Sequence, residues 1–254
     1  MKLYLLIALL IAGLVSAQKE VSDLEVKYIY STAKDTANVK ERISEIMVLD
    51  FNSNASLYYS EAFIERRKAI ESQLAIAKSS GQMADIDARK MAKPKIDYSV
   101  YRDHNKTSVT SRIGKDLYTF EGIAPKWETN YRDEKTIIGY KCNKATTLFN
   151  KRLYTAWYAK EIPISEGPYR FKDLPGLILE IQDSSEYDKF VAVSIEKKKM
   201  EISPLQKGIE VSRSEYLKKR EEFKNDPFPG KSMDLNRHNE LEIMKRKFNN
   251  TLER

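Results

Sequence analysis

The chain has 254 residues, 32% of them charged, and a mean hydropathy of −0.56, which suits one water-compatible domain with a sizeable core. Its net charge of +7 is mild and mixed in sign along the chain, so no nucleic-acid footprint is expected. One Cys excludes an internal disulfide, and two distant His, His104 and His238, argue against a His-based zinc site; no metal or other cofactor is expected.

The N-terminus reads as an export signal. Lys2 precedes an apolar run from Leu3 to Val15, and Val15-Ser16-Ala17 fits the small-x-small cleavage rule. Residues 1–17 are therefore expected to be a cleaved signal peptide, with the mature chain starting near Gln18. The run falls short of the roughly 20 apolar residues that span a bilayer, so a retained anchor is the lesser alternative and no transmembrane segment is expected in the mature chain. No Cys follows the run, which excludes lipidation of the bacterial lipoprotein type.

Leu24 to Tyr30 alternates as a strand. Ile43 to Phe51 and Ser56 to Ser60 predict a hairpin across Asn52-Ser53-Asn54. Phe63, Arg67, Ile70, Leu74 and Ala77 then fall at helical spacing, with Ser60 as a cap, Gly81 as a break and Pro94 as a stop. This predicts a helical excursion near 61–92. The period of two returns in Asp97–Tyr101, Thr107–Ile113, Asp116–Glu121, Lys135–Lys141, Lys144–Phe149, Arg152–Ala159, Leu177–Gln182 and Phe190–Glu196. Ser212 to Lys224 reads as a charged helix capped by Ser212 or Ser214, and 231–254 as a polar, basic tail. About ten short strands in succession predict a β-rich α+β fold: a curved antiparallel sheet, half-barrel or open barrel, with one helical excursion and a C-terminal helix. Residues 18–230 are expected to form one domain.

Lys135 to Asp183 carries the most distinctive wording. Upstream stands Trp127-Glu128-Thr129. There follow Gly139-Tyr140-Lys141-Cys142, Ala156-Trp157-Tyr158, Glu161-Ile162-Pro163-Ile164, Gly167-Pro168 and Asp173-Leu174-Pro175-Gly176-Leu177-Ile178. This segment resembles the GLPGLI family of exported Bacteroidota proteins, with Asp173 in place of the first Gly of the naming motif. The resemblance implies a Gram-negative cell envelope, often beside outer-membrane transport systems, and supplies no mechanism. The Asp173 departure matters if that position needs positive φ.

Three sites are weighed. Cys142 shares a strand face with Tyr140 and Ile138, which reads as a buried structural thiol, with a reactive thiol as the alternative. Glu161 and Glu166 are an acid–base pair only if they converge; the Pro and Gly between and after them equally suit a plain turn. Pro175-Gly176 fits the centre of a type II turn entering a core strand. The expected ligand or partner groove is lined by Tyr140, Tyr154, Trp157, Tyr158, Leu174, Pro175 and Leu177. Neither a serine-hydrolase signature nor a phosphate-binding glycine pattern is present.

These features lead to an expected periplasmic, non-enzymatic binding or accessory protein. It would hold an apolar ligand, a lipid or an outer-membrane protein segment. The alternatives are an envelope enzyme using Cys142 or a carboxylate pair, and a structural partner of an outer-membrane transport complex.

Overall fold

The computed structural model describes residues 20–81, 83, 86–104, 106–227, 235–247 and 249–253. The expected leader at 1–17 lies outside them. Among the described residues, twelve strands form a single sheet: β1 (Leu24–Ala33), β2 (Arg42–Phe51), β3 (Ala55–Ser60), β4 (Tyr98–Asp103), β5 (Lys106–Ile113), β6 (Asp116–Glu121), β7 (Glu134–Ile137), β8 (Tyr140–Phe149), β9 (Arg152–Ala159), β10 (Leu177–Asp183), β11 (Asp188–Lys197) and β12 (Ile209–Glu210). The spatial order is β12-β6-β5-β4-β3-β2-β1-β11-β10-β9-β8-β7. The chain thus starts mid-sheet, winds outward to β6, crosses to the far edge and winds back until β11 meets β1. Neighbours are antiparallel except the short β12–β6 pair. The expected curved antiparallel sheet is therefore present, and it is open rather than closed.

Local chemistry explains the turns. Asn52 Oδ1 accepts from the N–H groups of Asn54 and Ala55 at 2.8 and 2.7 Å, which fixes the β2–β3 hairpin. Ser60 caps α1 (Glu61–Ser80) by accepting from Phe63 N–H, and Gly81 ends the helix at φ 68°. Ser212 caps α2 (Arg213–Asn225) in the same way, accepting from Glu215 N–H at 3.1 Å. Part of the expected tail forms a third helix, α3 (Leu235–Lys247).

One expectation about an element is corrected, and one helix is packed only in part. The run Lys135–Lys141 is not one strand: Ile138 and Gly139 turn at φ 42° and 88°, so β7 and β8 form a tight hairpin. The apolar stripe of α1 is not a packed face along its length. Ile64 packs on Val48, Leu57, Tyr59 and Ile202 outside the sheet, whereas Leu74 and Ile76 are exposed.

The curl of the sheet follows from its contacts. Seven strand-to-strand steps separate β4 from β8, which would be about 34 Å in a flat sheet. Yet Tyr98 of β4 and Phe149 of β8 both lie against the Tyr169 ring, at centroid distances of 5.1 and 6.4 Å. Tyr169 belongs to the β9–β10 connection, residues 160–176, which plugs the concave face. Phe171, Leu174 and Tyr169 of this plug join Tyr28, Tyr154, Phe190 and Ile178 in the main core. The concave side is also covered by α2, whose Tyr216 stacks on Phe120 at 4.4 Å.

Candidate functional site

The residues expected to line an open groove are mostly interior. Tyr154, Tyr158, Leu174 and Leu177 are at most 2% exposed and pack within the core. Tyr140 and Trp157 are half-buried, and only Pro175 stands in solvent. The plug fills the space that an apolar ligand would have taken. Pro175-Gly176 is not a type II turn either. Gly176 N–H donates to Leu174 C=O at 2.8 Å, a γ-turn about Pro175, because Leu177 N–H is committed to Ile162 C=O. Asp173 sits at positive φ, 71°.

Neither of the other two candidates presents the reactive chemistry weighed as its alternative. Cys142 is fully buried, its Sγ facing Tyr140 C=O, and burial raises the thiol to a pKa of about 11. That corrects the reactive-thiol alternative. Glu161 is exposed, whereas Glu166 is buried in an ion pair with Arg102, so the two do not converge. Burial raises the Glu166 pKa against the pull of Arg102.

The fold instead builds polar clusters from residues far apart in sequence. Asp188 is buried at the head of β11. It accepts from Tyr30 OH at 2.7 Å and from Arg152 Nη1 at 2.9 Å, while Asn250 Nδ2 approaches at 3.3 Å. Burial is the main cause of its raised pKa. Beside it, Glu253 is 5% exposed. It accepts from Arg213 Nε at 2.8 Å and from Tyr169 OH, and it pairs with Arg170 Nη1 at 3.0 Å. Arg213 Nη2 also reaches Asn150 Oδ1 at 2.8 Å, and the Arg170 guanidinium lies 4.7 Å from the Phe149 ring centroid. On the opposite face, Glu25 and Asp50 stand directly opposite one another on β1 and β2, with Lys198 on Glu25 and Tyr59 on Asp50.

Two cavities flank the Arg170–Glu253 cluster. One of about 360 Å³ is walled by Tyr30, Tyr98, Tyr169, Tyr216 and the segment Asn250–Glu253. The other, about 600 Å³, is reached past Trp127, Leu148 and Leu153 and has Arg170 and Arg213 in its wall. Four aromatics beside charged and amide groups, at a volume within the usual ligand range, make the first cavity the best-formed candidate. Sequence reading missed it because Tyr30, Tyr98, Tyr169, Tyr216 and Glu253 come from five separate stretches. Spacing carries no signal for such a cluster. Among the described residues, no three His, Cys, Asp or Glu side chains are grouped as a metal site requires.

Comparison with known proteins gives a direction. The family described as "N-glycanase peptide, N-terminal domain" matches residues 124–217, from the edge-to-edge crossing to the first turn of α2. No curated protein matches the chain. Two crystal forms of PNGF-II share the fold, at TM-scores of 0.53 and 0.52 with 15% and 14% identity. Each alignment covers 78% of this chain but only 33% and 32% of PNGF-II, so the chain spans about a third of the length of these structures. These matches overturn the expectation of a non-enzymatic binding or accessory protein. Residues 124–217 of the chain are thus similar to the N-terminal domain that this family model describes.

Proposed function

We propose that this chain is a domain of a glycan-cleaving enzyme of the N-glycanase type, and that it engages the N-glycosylated substrate. The observation that carries the reading is the match over 124–217. That stretch supplies Tyr169, Arg170, Arg213 and Tyr216 to the two cavities. The aromatic and hydrogen-bonding lining of the first cavity suits a sugar, which offers apolar ring faces and many hydroxyls. Action outside the cytoplasm, in the periplasm, accords with the signal-like residues 1–17. Titration calorimetry with an N-glycopeptide and with the same peptide after glycan removal tests the reading. The glycosylated form should bind at least about tenfold more tightly, a difference of about 1.4 kcal/mol. Equal affinities would refute it.

A further inference from the structure

The first cavity shares a wall with a second hollow. Ile96, Asp97, Tyr98 and Arg112 line both the 360 Å³ cavity and a groove of about 420 Å³, so the two spaces adjoin at the entry to β4. The groove is closed by Phe63 and Arg66 from the start of α1 and by Leu205 and Gln206 from the connection between β11 and β12. Its walls are tied together by one side chain. Glu45 accepts from the N–H groups of Lys95 and Ile96 at 2.6 and 2.9 Å and from the hydroxyl of Ser60, the cap of α1. That carboxylate fixes the helix start against the strand entry, and its oxygens are committed to the walls. The shape of the groove is therefore set before anything enters it.

The groove carries an unbalanced charge. Arg66, Lys93 and Arg112 line it, against one carboxylate, Asp97. Among the described residues, none of these three cations has a carboxylate oxygen within 4.0 Å; on α1 it is the neighbouring Arg67 that reaches Glu71. Asp97 is offset by Arg112, whose charge lowers its pKa against burial. Arg66 and Lys93 are left without an acidic counterpart in the wall. Beside them the lining is apolar and hydroxylic: Tyr59, Phe63, Pro94 and Leu205 with Ser99 and Thr110. Ring faces and hydroxyls suit a sugar ring. A cation at the rim of an apolar hollow attracts an anion more strongly than one in open water, and a guanidinium matches a carboxylate in shape.

We propose that this groove is a subsite for a carboxylate-bearing sugar, whose acid group is received by Arg66 and Lys93 while a neutral part of the same glycan occupies the first cavity. This rests on the glycan reading and narrows the substrate to glycans that carry an acidic sugar. The shared wall assigns the acid to the glycan rather than to the peptide, because the groove opens beside the cavity that holds the sugar.

Calorimetry on the full chain tests this with three N-glycopeptides: one wholly neutral, one ending in a carboxylate sugar, and one with a neutral glycan and an Asp beside the glycosylated Asn. The unaltered chain should bind the acidic-sugar probe about tenfold more tightly than the neutral one. The double variant Arg66→Gln, Lys93→Gln changes neither wall of the first cavity. It should lose that preference while its affinity for the neutral probe changes by less than about twofold. A control variant, Lys68→Gln with Lys78→Gln, removes the same charge from exposed positions of α1 outside the groove and should keep the preference. Four results would overturn the subsite and leave the glycan reading standing: equal affinity of the unaltered chain for acidic-sugar and neutral probes, a preference that survives in the groove variant, a preference lost equally in the control, or a gain with the Asp probe in place of the acidic sugar. Binding of no glycopeptide by the unaltered chain would overturn both.

Discussion

At the scale of single residues, the crossing from β6 to β7 depends on an absent side chain. A Cβ on Gly122 would lie 2.7 Å from Arg170 Cδ and 3.1 Å from Val109 Cγ2. Gly122→Ala should therefore cost about 1–3 kcal/mol, read as a lower urea midpoint, because Arg170 is clamped and cannot yield. Cys142 gives a second prediction. Native labelling by a small thiol reagent should stay slow at pH 8 and appear on unfolding in urea. Its folded pKa, about 11, lies above the usual thiol value of 9.0. The folded state therefore keeps its proton longer, and this group's contribution to stability is lost as pH rises from 9 toward 11. Thermal melts across that range check the sign.

At the scale of elements, the β7–β8 hairpin turns through Ile138 at φ 42°, a conformation that crowds a β-branched side chain. Ile138→Asn should stabilise the protein by about 1 kcal/mol, measured by chemical denaturation, since Asn tolerates that region. The same turn marks where sequence reading stopped. Alternation identified Asp116–Glu121 and Arg152–Ala159 to the residue, because strand period is a local property. Ser60, Gly81 and Ser212 were equally legible as helix boundaries. Ile138 hid a turn behind a strand-forming side chain. The plug at 160–176 was illegible as a plug, because its shape is set by distant partners such as Arg102 for Glu166 and Glu253 for Tyr169. Of the anticipated groove residues, Tyr154, Tyr158, Leu174 and Leu177 had the composition of a ligand surface and the placement of a core.

At the scale of the whole molecule, three buried carboxylates share one electrostatic character. Asp50, Glu166 and Asp188 all have raised pKa values, with burial as the main cause. Burial thus opposes the ionisation of each. That penalty disappears as pH falls through the folded pKa toward the usual values of 3.8 and 4.5. The melting temperature should hold or rise as pH falls from neutral toward the usual carboxylate range, and Asp50→Asn should remove part of any rise by ending the opposition with Glu25. A steep fall over that interval would contradict this. The winding order also fixes a sequence of events in folding. β1 pairs early with its neighbour β2, but its other edge waits for β11, so that Leu24 must find Lys197. Until then the first half-sheet carries a ten-residue open edge at what will become its centre. Long loop closure makes that last zipping step the slow one. An open edge of that length is a template for pairing between chains. Refolding yield should therefore drop as protein concentration rises, with losses set during the lifetime of the unzipped half.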